Sequence, residues 1–323
     1  MIKNYEKGGT QKSLYQESDL EHVNCLNCNS NNEKLLHKEF GSIGIVKCKN
    51  CELIYTNPRP KNSENNYDGN IQNFENEFKY IFDNTLSHHR DKNYKQEIFF
   101  IEKYKNKGKL LDIGCNMGRF LYLINKKGFT GYGIEPSNSL FKLCVDKMRL
   151  NVENSTLLNT KHKEETFDII TAIDVFEHIT KPKEFLEKSK KLLKKDGILV
   201  IKIPNGNYSM LKLLLAKLTR RKISKMDIFD SYEHVAHYNK KSFIKMIKNS
   251  NFVIKKVYAP LPINPPVWSK YVGQYYQYPT PWILDWKKNI FRSICHFIGK
   301  IEIFLNTNTN FQPDLMFILK KKI

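Results

Sequence analysis

Lys109-Leu-Leu-Asp-Ile-Gly-Cys-Asn-Met-Gly-Arg-Phe-Leu121 is the stretch that decides the fold. Leu110, Leu111 and Ile113 form a short apolar run with one acid, Asp112, inside it. The run breaks at a turn carrying Gly114 and Gly118, and helical spacing resumes at Arg119. This is the pattern of a buried strand that feeds a helix through a loop whose backbone must come close to a ligand. A dinucleotide loop would read Gly-x-Gly-x-x-Gly, with glycines that admit a pyrophosphate. Here the spacing is Asp-x-Gly-x-x-x-Gly, and the missing middle glycine disfavours a nicotinamide-dependent reductase.

Three further segments follow in order. Gly131-Tyr-Gly-Ile-Glu135 is a second short strand ending in an acid, and one carboxylate there can accept from both hydroxyls of a ribose. Phe167 to Ile179 is an apolar strand running into the pair Glu177-His178, and Leu192 to Asn205 carries a helix end, an Asp-Gly turn, a strand and a Pro-Asn exit. Together the four segments resemble the class I S-adenosylmethionine-dependent methyltransferases. The resemblance implies an α/β fold, a Rossmann-like, seven-stranded, doubly wound sheet with its last strand antiparallel. It implies S-adenosylmethionine as cofactor, with Asp112, Gly114, Cys115 and Gly118 around the methionine part, Glu135 on the ribose, and Asp174 at the end of the fourth strand. The family's adenine-binding acid after the third strand has no clear match, and Ser155 and Thr156 are the nearest candidates.

Four of the seven cysteines form two knuckles, Cys25-x2-Cys28 and Cys48-x2-Cys51. Paired knuckles in a chain without a secretion signal read as a tetrahedral structural Zn2+ site, with four reduced structural cysteines as the alternative. So small a unit buries too little apolar surface to fold alone, and metal ligation supplies the difference. Short strands are expected at Ile43 to Lys47 and Leu53 to Tyr55. The ribbon followed by Asn57-Pro-Arg-Pro60 resembles a subgroup of these methyltransferases with an N-terminal zinc module, among them nucleotide-sugar C-methyltransferases. The expected division is a mobile arm over 1–22, a zinc ribbon over 23–60, a connection and first helix over 61–108, and the methyltransferase core over 109–258. A helical insertion over 259–310 and the last strand of the core over 311–323 complete it. Tyr67 and Arg90 are the positions to watch in the connection.

A formal net charge of +20 over 323 residues invites a nucleic-acid reading, in which the ribbon is the reader and the core is non-catalytic. The lysines are dispersed along nearly every segment, as on a solvated surface, and no aromatic RNA-binding signature interleaves with them. No run reaches the roughly 18 apolar residues of a membrane span, and Met-Ile-Lys-Asn-Tyr-Glu-Lys at the start lacks a signal-peptide core, so a cytoplasmic protein is expected. Two stretches depart from a minimal core. Met210 to Met226 sets six basic residues beside leucines, and Trp282 to Leu305 places Trp286, Ile290, Ile294, Phe297, Ile301 and Phe304 at helical spacing. Such faces serve as core or lid, as an oligomer contact, or as a peripheral contact with an anionic membrane surface. The last use would suit a lipid-linked or prenylated acceptor.

Methyl transfer is an in-line displacement, and a hydroxyl or acidic carbon acceptor needs a general base. Asp174, Glu177 and His178 fall where acceptors bind in this fold, and His178 is one candidate base, with loop packing as its structural alternative. Ser231-Tyr-Glu-His-Val-Ala-His-Tyr-Asn239 resembles the Tyr-x-Glu-His segment of the nucleotide-sugar C-methyltransferases, and the resemblance makes His234, helped by Glu233, the acid/base pair. Tyr232 is one residue out of place for that motif, and the extra C-terminal domain of the longer members is lacking. The expected acceptor is small or glycan-linked, a sugar oxygen or carbon.

Overall fold

The computed structural model describes residues 15–61, 90–218, 228–260, 294–307 and 309–322. The chain begins with a 3-10 turn at Glu17–Asp19 and β1 (Leu20–Glu21), then β2 (Glu33–Glu39), β3 (Ile43–Cys48), β4 (Ile54–Thr56) and β5 (Arg59–Pro60). β1 pairs antiparallel with β5, and Arg59 Nε donates to Glu21 Oε1 at 2.7 Å. The arm expected through residue 22 therefore gives way to ordered structure over 17–21, fastened by this pairing.

The core alternates helix and strand. It runs α1 (Asp91–Glu102), β6 (Lys109–Ile113), α2 (Arg119–Lys126), β7 (Thr130–Ile134), α3 (Asn138–Lys142), β8 (Asn151–Glu153), β9 (Phe167–Ile173) and α4 (Pro182–Leu192). It continues through β10 (Leu193–Pro204), α5 (Gly206–Leu218), β11 (Ala236–His237), α6 (Lys240–Lys248), β12 (Phe252–Tyr258), a helix over 294–304, and β13 (Asp314–Lys321). Seven strands form one sheet in the order β12-β13-β10-β9-β6-β7-β8. β13 is antiparallel to both its neighbours, and the β8-β7-β6-β9-β10 block is parallel. The Asp196-Gly197 pair expected as a turn before the strand sits inside β10, where the register against β9 shifts between Leu193 and Ile198.

Both faces of the sheet are covered, as near-continuous apolar strands require. Along β10, Leu199, Ile201 and Ile203 enter one cluster with Phe176, Phe185, Phe243 and Phe317, while Ile198 and Val200 enter the other with Ile98, Leu110, Phe120 and Ile318. The first cluster also takes in Cys25, Cys48, Cys51, Leu53 and Tyr55, so the N-terminal module shares a core with one face of the sheet. Its own sheet, in the order β11-β4-β3-β2, borrows its edge strand β11 from the core. Local signals set the helix starts. Pro182 opens α4, and Asn239 caps α6 in a reciprocal bond with Ser242.

Tyr67, Arg220, Arg221, Lys222, Trp282, Trp286 and Ile290 lie outside the described residues. Of the expected apolar stripe, Ile294, Phe297, Ile301 and Phe304 are exposed. No helix among the described residues is long and apolar enough to cross a membrane.

Candidate active site

Two sides meet at the carboxyl ends of β6, β7, β9 and β10. One is the glycine loop. Gly114 and Gly118 have φ of 65° and 72°, in the left-handed region that glycine occupies at least cost. A Cβ on Gly114 would lie 2.8 Å from Val175 Cγ2, so this loop is pressed against the end of β9. Asp112 is buried, and Thr171 Oγ1 donates to its Oδ1 at 2.6 Å. Burial pushes its carboxyl up to about 7 despite the Thr171 bond, with Glu97 and Glu135 adding to the rise. Glu135 accepts from the backbone N–H of Asn116 at 2.8 Å and of Ser137 at 3.0 Å. Cys115 turns inward, buried next to Cys144 and beneath Gly133. Asn154 Nδ2 donates to the carbonyls of Glu135 and Pro136, while Ser155 Oγ donates to the neighbouring Thr156 carbonyl.

A buried charge network joins this side to the next. Lys202, alone among the apolar residues of β10 and fully buried, stands 3.2 Å from Glu97 Oε1 and 3.1 Å from Asp174 Oδ2. Arg90 bonds the same Asp174 oxygen. Burial alone would raise the Asp174 carboxyl, but Lys202 and Arg90 outweigh it and hold it far below the usual range. Asp174 is thus an anion tied to two cations. Sequence reasoning marked Arg90 and Asp174 but passed over Glu97, Lys202 and Asp314, which starts β13 beside them. A lysine inside Ile-Leu-Val-Ile-Lys-Ile was the available signal, because a charge in a strand buried on both faces needs a partner.

The other side is a cleft of about 380 Å³ between the end of β9, the start of α5 and the 228–237 loop. Glu177, His178 and His234 face one another there, with ligand atoms all within 4.8 Å. His178 Nδ1 lies 3.1 Å from the Glu233 carbonyl, the two imidazoles cross at 80° with centroids 4.7 Å apart, and His234 Nε2 lies 4.0 Å from Glu177 Oε1. Burial drives both histidines down to about 4, so they are neutral near pH 7, and it pushes the Glu177 carboxyl up, reinforced by Asp174. The acid that meets His234 is Glu177. Glu233, the expected helper, exposes its side chain and supplies its carbonyl to His178.

The N-terminal module fastens this loop. Glu39, buried, accepts from the N–H groups of Ile228 at 2.8 Å, Phe229 at 3.0 Å and Ser231 at 3.3 Å. Thr56 Oγ1 donates to the His234 carbonyl at 2.6 Å and lies 3.1 Å from His237 Nε2. Below it, the thiols of Cys25 and Cys51 are 3.4 Å apart and those of Cys28 and Cys48 3.5 Å, with no disulfide among them. Four sulfurs about 2.3 Å from a tetrahedral metal would stand about 3.8 Å apart, so the cluster fits such an ion with little adjustment.

A methyltransferase-domain family matches residues 86–257, just over half of the chain. A ubiquinone biosynthesis O-methyltransferase of Bradyrhizobium diazoefficiens is 31% identical over 111 residues, which cover 33% of this chain and 44% of that protein. The chain thus spans under half the length of this relative. A protein of Methanocaldococcus jannaschii is 28% identical over 164 residues, 51% of this chain and 78% of its own. Among solved structures, a SAM-dependent methyltransferase from Archaeoglobus fulgidus is 18% identical with a TM-score of 0.46, covering 77% of this chain and 99% of that one. By the family match, the chain belongs to the S-adenosylmethionine-dependent methyltransferases.

Proposed function

We propose that the chain transfers the methyl group of S-adenosylmethionine to a small polar acceptor in the cleft, a sugar or glycan-linked unit offering an oxygen or a carbon. The proton of that acceptor is lost at the cluster of Glu177, His178 and His234. The observation that carries this reading is the cleft itself, which has the volume of a small-molecule site and opens between Asp174 and Glu177, on either side of Val175, against which the glycine loop packs. The relatives named O-methyltransferase favour oxygen. The likeness of Glu233-His234 to sugar C-methyltransferases keeps carbon as the alternative.

In this reading Asp112 and the loop from Gly114 through Cys115 to Gly118 hold the methionine part, and Glu135 holds the ribose. Asp174 positions the loop end from its place between Lys202 and Arg90. Asn154 holds the turn beneath the adenine. A zinc ion on Cys25, Cys28, Cys48 and Cys51 fixes the module that fastens the acceptor loop. The sulfonium loses its charge as the methyl moves, so the protein's main task is alignment, worth as much as about 7 to 11 kcal/mol.

The test is calorimetric titration with S-adenosylmethionine and S-adenosylhomocysteine, repeated with Glu135→Ala, followed by radiolabelled methyl transfer to a panel of nucleotide sugars and polyols. Binding of both ligands that is lost in the variant, with label on a panel member, is expected. Absence of binding overturns the reading. A second reading, a lipid-linked acceptor, is favoured by the exposed stripe Ile294, Phe297, Ile301 and Phe304. It requires sedimentation with anionic vesicles at low salt.

A further inference from the structure

We infer that Glu177, His178 and His234 bind a divalent transition-metal ion that chelates the acceptor, a step that rests on the methyl-transfer reading above. Three observations converge on it. Glu177 is 2% exposed, and neither of its carboxylate oxygens has a hydrogen-bond partner among the described residues. A buried carboxyl left so is costly unless a proton or a cation meets it. The His178 imidazole, in turn, is held by the backbone carbonyl of Glu233, 3.1 Å from its Nδ1. A ring that donates one N–H to a carbonyl presents its other nitrogen as a lone pair, which is how ligating histidines are oriented. Finally, the free ends of all three side chains lie within 4.8 Å of one another, on the wall of the cleft. Bonds of about 2.0 to 2.2 Å to one ion need them to close by roughly 1 Å.

Asp174 stands near, but its Oδ2 is tied to Lys202 and Arg90 and its oxygens do not join the group of ligand atoms within 4.8 Å of one another, so three protein ligands remain. Two imidazoles and one carboxylate suit Mn2+, Fe2+, Co2+ or Zn2+ better than Mg2+ or Ca2+, and they leave coordination positions open. An acceptor with two neighbouring oxygens, a vicinal diol or a hydroxyl beside a carbonyl, would fill them. The ion draws charge from the acceptor hydroxyl and lowers its pKa, and the proton leaves to water. The oxygen lone pair then forms a bond to the methyl carbon as the carbon–sulfur bond breaks, its electron pair passing to sulfur. A methyl ether and S-adenosylhomocysteine result, with the ion unchanged. This step places the two histidines as ligands and gives the loss of the acceptor proton at this cluster a physical agent.

The test uses the full chain and Mn2+, which the four thiols of the N-terminal module disfavour because soft sulfur ligands select other ions. Bound Mn2+ is counted from the loss of its free paramagnetic resonance signal, and S-adenosylhomocysteine binding is measured on the same samples. One Mn2+ per chain is expected, with affinity falling at least roughly tenfold in His178→Ala and in Glu177→Gln while S-adenosylhomocysteine still binds both variants. Normal S-adenosylhomocysteine binding without Mn2+ uptake overturns the inference and leaves methyl transfer standing. Mn2+ binding unchanged by the two substitutions also overturns it. Failure of the wild-type chain to bind S-adenosylhomocysteine brings down the methyl-transfer reading and this inference together.

Discussion

The donor side and the acceptor side are held by opposite means. Around the glycine loop the bonds are short in sequence: Asn116 to Glu135, Ser137 to Glu135, and the loop's own turns at Gly114 and Gly118. Around the acceptor loop the bonds span the chain, from Glu39 to Ile228 and from Thr56 to His237. A site built from neighbouring segments is shaped as its own strands fold. One assembled from distant pieces depends on the whole molecule, and here on a small module that needs its own fastening. The contrast implies that damage to the module should open the acceptor side first and leave the donor side competent.

Removing the zinc proposed on the four thiols breaks that comparison hardest. Ligation of a structural zinc contributes on the order of 10 kcal/mol, so Cys48→Ser should release the ion and melt the module. Methyl transfer should then disappear while S-adenosylhomocysteine still binds. Loss of donor binding as well would show that the shared core, where Cys48 and Tyr55 pack with Phe176 and Phe243, makes both sides one cooperative unit.

Lys202→Met tests the bridge between them. The substitution fills the space but strands the buried Glu97 carboxylate and removes one of the two cations on Asp174. Breaking a buried pair in this way costs about 3 to 5 kcal/mol, or roughly 10 °C in Tm. The double variant Lys202→Met with Glu97→Gln should recover part of the loss. If it falls further, the network is not pairing charge as described.

Glu39→Gln sharpens the contrast more gently. The amide keeps one acceptor oxygen where the carboxylate offered two to Ile228, Phe229 and Ser231, at a cost of about 1 to 3 kcal/mol. The expected signature is a kcat reduced by tenfold or more at unchanged affinity for S-adenosylhomocysteine. Equal losses in both would mean that Glu39 supports the fold rather than the acceptor loop.

The same contrast governs what the sequence discloses. Asp112, Gly114, Gly118 and Glu135 announce themselves because strand, turn and acid lie within a few dozen residues, and period and spacing report local geometry. The sheet order, with an antiparallel β13, follows from the same alternation of strand and helix once the family resemblance is admitted. The borrowed strand β11 left no such trace, since two residues, Ala236 and His237, carry no period. The choice of Glu177 over Glu233 as the partner of His234 was equally hidden. Adjacency in sequence favoured Glu233, whereas the 3-10 turn at Phe176–His178 is what carries Glu177 beneath the ring.

Asp112 gives the finest test, and it concerns the donor side alone. Its carboxyl, normally near 3.8, is raised to about 7 by burial. Below pH 3.8 the folded and unfolded chains both carry the proton, so the burial costs nothing. As the pH climbs to about 7 the unfolded chain ionises freely while the folded one resists, and stability is lost across that window; above it the deficit is constant. Asp112→Asn should therefore gain on the wild type, on the order of 2 kcal/mol without cofactor, and the gain should appear only above about pH 4. Cofactor binding carries the opposite sign. The ammonium of S-adenosylmethionine favours the ionised carboxylate, so wild-type affinity should rise between about pH 5.5 and pH 7.5, whereas Asp112→Asn binds weakly with no such slope. Calorimetry at the two pH values decides it: parallel slopes in both proteins would place the titrating group elsewhere and return the rise to the cofactor.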